Sequence, residues 1–304
     1  MGETKNTKNE KKSAWKNFLE SEFFYHYKHN LPAIIGSILV LIAILVAVFG
    51  KFLAPQNPYD LTQIDLMDSY LPPAWSNGGS LKFLLGTDNQ GRDILSAIIY
   101  GSVSSLTIGL VGMLASCLIG TTLGLIAGYF GGKVDSIIMR IADIQLSFPS
   151  MLIALFIMSV FGRGIDKLLI ALTMVGWVKY ARTVRGETLS VRKKEYVEAA
   201  RTIGLPNYRI ILKHVMPNVV TSIIVLATIQ VGDFILTEAT LSFLGVGVPI
   251  TEPSLGLLVK TGFDVLFSGL WWASVFPGLY IMLVVFGINL LGDFLRDELN
   301  PNLK

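Results

Sequence analysis

Six stretches of the chain stay apolar for membrane-crossing lengths, near residues 33 to 53, 99 to 128, 139 to 161, 167 to 184, 218 to 244 and 273 to 294. A helix rises about 1.5 Å per residue, so about 20 apolar residues cross a hydrocarbon core. The pattern predicts an all-α, polytopic membrane protein with six transmembrane helices. It divides the chain into a tail and surface helix over 1–32, a first span over 33–53, an external loop region over 54–93, a five-helix core over 94–294 interrupted by a polar loop at 185–217, and a tail over 295–304. In the first segment Trp15, Phe18, Leu19, Phe23 and Phe24 predict a helix lying on the membrane surface. The external stretch is rich in Pro, Gly and Asn and reads as a loop-built cap.

Polar positions inside the runs change the picture more than the apolar ones. The second run places Gly112, Ser116, Gly120, Gly124 and Gly128 four residues apart, which predicts a helix face that another backbone approaches closely. In the third, Arg140, Asp143, Ser147 and Ser150 share a stripe, with Arg140 and Asp143 spaced to pair and Pro149 placed to bend the helix. The fifth carries Gln230, Asp233 and Thr237 on one stripe with Glu238 beside it. Ionisable groups within a span face protein or a watery path, because lipid costs a few kcal/mol for each. Interhelical hydrogen bonding and the lining of a polar route both fit. After this run, Gly245, Gly247 and Pro249 end the helix, and the stretch to Trp271 and Trp272 is expected to dip along the outer interface.

The loop EYVEAARTIGLPNYRIILKHVMPNVV, residues 195 to 220, is charged yet periodic. Tyr196, Ala199, Ala200 and Ile203 fall on one helical face, while Glu195, Glu198 and Arg201 face away. Gly204 stops that helix. Asn207 is placed to cap a second, with Tyr208, Ile211, Leu212 and Val215 repeating the spacing before Pro217. Two short amphipathic helices with a small-residue face suit the groove of a partner protein better than lipid headgroups.

Composition agrees with a membrane class: 52% of the 304 residues are hydrophobic and 15% charged, far from the usual soluble balance. Lys and Arg set the orientation. With the first residues inside, Lys51, Lys82, Arg92, Arg163, Lys167 and Lys260 are the outer cations and the others lie inside, so both termini and the 185–217 loop face the cytoplasm. The long polar lead into a full-length first run reads as a retained anchor rather than a cleaved signal. The net charge of +3 is explained by topology and implies no nucleic acid. Cys117 is alone, which excludes a disulfide frame and a thiolate metal site.

EAARTIGLPNYRIILKHVMP resembles the EAA signature of ATP-binding-cassette importer permeases, with Glu198, Ala199, Ala200, Gly204 and Pro217 in register and His214 and Met216 departing from it. LGTDNQGRDILSAIIYG, GYFGGKVDSIIMRIADIQLSFPS, VGWVKYARTVRGETLSVRKKEYVEAA, LTEATLSFLGVGVP and FPGLYIMLVVFGINLLGDFLRDELNP are similar, in order, to the C-type permease subunit of the oligopeptide, dipeptide and nickel uptake group. Residues 1 to 80 match in layout alone.

The resemblance implies a type I importer permease fold in a bacterial cytoplasmic membrane. It implies a second homologous permease subunit, two cytoplasmic ATPases that carry ATP and magnesium, and an extracellular binding protein. Tyr196, Glu198, Ala199, Ala200, Gly204, Tyr208 and Pro217 would form the ATPase-coupling loop, and Gln230, Asp233, Thr237 and Glu238 would line the translocation path. The chain itself would hold no cofactor, metal or catalytic residue. GYFGGKV lacks the Walker A spacing and has Val134 where Ser or Thr must hold magnesium. His26, His29 and His214 lack the partners a membrane hydrolase needs, and no inverted repeat favours an ion-coupled transporter. Peptides are the expected cargo, with nickel or metal-chelator complexes as the alternative.

Overall fold

The computed structural model describes residues 22–60 and 62–299, and all of its regular structure is helical. Helix α1 (Glu22–His29) precedes α2 (Leu31–Leu53), whose first turn is capped by the Asn30 side chain accepting from the Ala33 amide and carries Pro32, where a missing N–H costs nothing. The cap follows, then α3 (Ile94–Phe130), α4 (Gly132–Leu146), α5 (Ser150–Phe161) and α6 (Ile165–Val191). The polar loop holds α7 (Glu195–Thr202) and α8 (Asn207–Ile210), and a single π turn over Ile211–Val215 joins it to α9 (Met216–Phe243). Helix α10 (Leu255–Phe263) and α11 (Trp272–Leu299) complete the bundle.

Among the described residues four helices are long and apolar enough to cross a membrane, α2, α3, the stretch Asn207–Phe243 and α11, or five if α4 and α5 form one broken span. The six spans expected from the sequence include α6, which falls outside this set on composition. Helix α6 has the length, at 27 residues, but Lys179, Arg182 and Arg185 occupy its C-terminal half. The third run is bent by 87°, because Pro149 cannot donate to the preceding turn and Leu146 ends α4.

The 37-residue α3 is the spine. Its glycine face meets α6 so closely that a Cβ on Gly120 would lie 2.3 Å from the Trp177 carbonyl oxygen, and one on Gly124 2.6 Å from that of Ala181. Helix α9 packs on α3 and α11 through Val231, Ile235 and Ala239 with Ile281, Val284 and Ile288. Phe23 and Tyr27 of α1 meet the edge of Phe294 near the end of α11, and His26 bonds Glu298 at 2.8 Å. The surface-helix expectation at Trp15, Phe18 and Leu19 lies outside the described residues, while Phe23 docks on protein.

Two expectations are corrected. Asp143 pairs with Arg182 of α6 and not with Arg140. The segment after Pro249 does not lie flat outside. Gly256 and Gly262 of α10 let it wedge between the backbones of α9 and α11, where a Cβ would sit 2.3 Å from Ala239 O and from Ala273 O. Trp272 is buried with them, and its indole donates to the Thr87 carbonyl of the cap at 3.3 Å. In the cap, buried Arg92 bonds Asp88 at 2.6 Å beneath the Tyr59 ring. Burial pushes that phenol up to about 12, so it stays neutral.

Candidate functional site

The polar loop is anchored from below. Val197 and Ala200 of α7, Ile210 and Val215 are buried against Leu125 and Tyr129 of α3, Val184 and Val191 of α6, and Val219. Polar ties fix the same junction. Arg192 donates to the carbonyls of Gly128 and Tyr129 at 2.9 and 3.2 Å. The Tyr129 hydroxyl donates to Asn207 Oδ1 at 2.9 Å, and Arg185 grips both oxygens of Asp135 at 2.5 and 2.6 Å. Asn207 is thus a tertiary acceptor, and Pro206 stands at the N-cap of α8 without a side-chain bond, which corrects the capping expectation. Gly204 turns the chain at φ +84°, with the Leu205 amide donating to the Ala200 carbonyl at 3.2 Å. Pro217 cannot donate backwards, and the π turn just before it absorbs the mismatch.

The outer side of the loop is apolar and uncovered. Ile203 is 80% exposed, Tyr208 62%, Leu212 56% and Tyr196 43%. The two apolar stripes expected to face one way are therefore split, with Ala200 and Val215 turned inward and Tyr196, Ile203, Tyr208 and Leu212 outward. Ala199 and Glu198 are exposed on the same helix. Glu198 lines a hollow of about 440 Å³ with Arg192, Lys193, Arg201, Tyr129 and Asn207, and the Arg201 guanidinium lies over the Tyr129 ring, 5.5 Å from its centroid.

A second concavity, of about 560 Å³, opens where the α4–α5 break faces α6 and α9. Gln230, Asp233 and Thr237 all line it, together with Gln145, Ser150 and Lys179 and the apolar Phe148, Ile153 and Phe234. Gln145 holds the break to α6: its amide donates to the carbonyls of Met174 and Val175, and its oxygen accepts from the Trp177 indole at 2.9 Å. Lys179 bonds Asp233 at 2.7 Å, and the Thr237 hydroxyl donates to the Asp233 carbonyl at 2.7 Å. Gly176 leaves room for Gln230, whose Nε2 would lie 2.8 Å from a Cβ placed there.

Glu238 does not join this set. It is fully buried and accepts from Ser105 at 2.8 Å, Ser242 at 2.9 Å and Ser254 at 2.8 Å, so its assignment to a path is corrected to that of a staple between α3, α9 and the start of α10. Sequence reasoning missed Lys179 and Gln145 as cleft residues and Tyr129 and Arg192 as anchors. A cation between apolar turns was the available signal for Lys179.

The model of the binding-protein-dependent transport system inner membrane component matches residues 120–304. The chain belongs to that family. It is a multi-pass membrane component of an ATP-binding-cassette importer and not itself an enzyme. A second model, the N-terminal transmembrane domain of oligopeptide transport permease C, matches residues 13–73, so the first 80 residues share more than layout with relatives. The permease is 41% identical over 285 residues to the dipeptide transport system permease protein DppC of Escherichia coli strain K12, covering 93% of each chain. It is 37% identical over 292 residues to the oligopeptide transport system permease protein OppC of Bacillus subtilis strain 168, covering 96% of this chain and 91% of that one. A solved inward-facing MetNI methionine ABC transporter shares the fold, with TM-score 0.54 and 18% identity over 67% of the permease and 96% of its own chain.

Proposed function

We propose that the permease is one half of the translocation path of a peptide importer and that its 185–217 loop couples the path to ATPase subunits. The observation that carries the coupling role is the outward apolar set Tyr196, Ile203, Tyr208 and Leu212 on a loop whose underside is already filled and whose ends are tied to α3 and α6. A membrane component of a binding-protein-dependent transporter works with an ATPase and a binding protein. We assign two ATPases, the docked loop, and a homologous permease subunit that closes the second side of the cleft. The Lys and Arg distribution supports cytoplasmic termini, and the names of the relatives support dipeptides or oligopeptides as cargo. ATP-driven closure of the ATPases then moves the loop, and through α6 and α9 shifts the cleft between inward and outward states.

The test is Glu198→Lys. The exchange adds a cation to a hollow already lined by Arg192, Lys193 and Arg201 and removes the acid available to the partner. A charge-assisted contact is worth roughly 1.5 to 3 kcal/mol, so ATPase attachment weakens at least about tenfold. The measurement is copurification of the ATPases with detergent-extracted permease pairs, together with uptake in reconstituted vesicles. Normal attachment and normal uptake sink the coupling assignment.

Gly204→Val tests the turn between the loop helices. Nothing lies within 4 Å of a Cβ at this position, so the cost is conformational alone, roughly 1–3 kcal/mol for a β-branched residue at positive φ. Membrane insertion survives, and peptide-stimulated ATPase activity and uptake fall together. Full stimulation in this variant contradicts the assignment.

A further inference from the structure

The cleft holds two opposite charges, and they are spent on each other. Lys179 and Asp233 are the two ionisable groups among its lining residues, the others being neutral amides, hydroxyls and apolar side chains. Their bond is on the wall and not behind it: the two side chains are 55% and 42% exposed. Beside them Gln230 is 2% exposed, yet its Oε1 accepts no hydrogen bond from any described residue. A buried amide oxygen without a donor is costly, and this one is closed off from the open space of the cleft.

On the reading of this cleft as the peptide path, we propose that it is a subsite for zwitterionic peptides, in which the two peptide termini replace Lys179 and Asp233 as each other's partners. The peptide ammonium binds the Asp233 carboxylate and the peptide carboxylate binds the Lys179 ammonium. Charge conservation is the reason. A lone charge at membrane depth is unfavourable, so a cleft with one unpaired ion would be a poor route. The resting pair is neutral, and so is a free peptide, so one ion pair becomes two without net charge entering the cleft. A peptide with blocked termini brings no counter-charge and leaves the resting pair closed. The terminal groups of even a short extended peptide stand several ångströms apart, at roughly 3.3–3.6 Å per residue, so the pair must part for it. Lys179 does this by swinging its long stem, while Asp233 keeps its place on α9.

The experiment uses the complete detergent-extracted transporter with Cys117→Ser and Thr237→Cys, and follows modification of the introduced cysteine by a water-soluble maleimide. Trialanine is compared with N-acetyl-trialanine amide as protectant. The expected result is half-protection by trialanine at a concentration at least about tenfold below that of the blocked peptide, the discrimination expected from charge-assisted bonds at the termini. In a Lys179→Met, Asp233→Asn background, assembled to the same extent by ATPase copurification, the two peptides converge. Equal protection by both peptides in the parent protein, or protection by neither while the cysteine is modified, overturns the zwitterion subsite and leaves the path reading standing. A cysteine at 237 that resists the reagent in every nucleotide state overturns the path reading, and this proposal with it.

Discussion

Gly120→Leu is expected to prevent assembly of a stable transporter. At this position α3 and α6 touch backbone to backbone, and even a Cβ would lie 2.3 Å from the Trp177 carbonyl oxygen and 2.6 Å from the Tyr180 Cβ. Neither neighbour is the free end of a flexible chain. Tyr180 and Ala181 are fully buried, so relief requires α6 to move away along the contact that also contains Gly124 and Gly128. Overpacking of this kind costs about 1–3 kcal/mol for small insertions and more for a whole side chain, and in lipid close packing itself holds the helices together. The measurement is the yield and thermal midpoint of the detergent-extracted complex. Gly112→Ala is the internal comparison, because its Cβ meets the Phe234 ring at 3.1 Å, where a small ring shift suffices. The expected order is parent, then Gly112→Ala, then Gly120→Ala, with Gly120→Leu not recovered. Equal losses at 112 and 120 would mean that something other than backbone approach sets the stability of this pair.

The glycine face was legible because four-residue spacing puts residues on one side of a helix whatever surrounds it. The same geometry gathered Gln230, Asp233 and Thr237. It could also have separated Glu238: at 3.6 residues per turn this residue lies roughly 80° from Gln230 and roughly 140° from Asp233 around the axis, and the structure buries it against α3 accordingly. Periodicity was less informative in α7, which has only 8 residues. Two adjacent apolar columns exist there, and the one buried is whichever meets Tyr129 and Val191, a fact of tertiary packing. Pro149 marked a bend without fixing its angle, since the 87° turn is held by Gln145 across to α6. Lys179 was counted for topology, and no local rule pairs it with a carboxylate 54 residues away. The family-level reading survived these local errors because it rested on several ordered blocks and not on any one side chain.

Glu238→Ala is expected to destabilise the junction of α3, α9 and α10 more than any single change in the cleft. One carboxylate, fully buried, accepts from hydroxyls on α3, α9 and the residue that caps α10. Two of those hydroxyls work further: Ser254 accepts from the Leu257 amide at 3.3 Å, and Ser242 from the Val248 amide at 3.2 Å. Alanine removes three hydrogen bonds, leaves three hydroxyls searching for partners, and opens a void. Each loss is of order 1–3 kcal/mol and they are not additive, so a total of at least about 3 kcal/mol is expected. Glu238→Gln keeps the volume and one acceptor oxygen, and the serine oxygens can accept from its amide, so it should fall about midway. Thermal midpoints of the detergent-extracted complex test the order parent, Gln, Ala. Loss of uptake should follow loss of stability through the series, because Glu238 has no face on the cleft. A Gln variant that is as stable as the parent but transports poorly would return this carboxylate to the path and remove it from the staple.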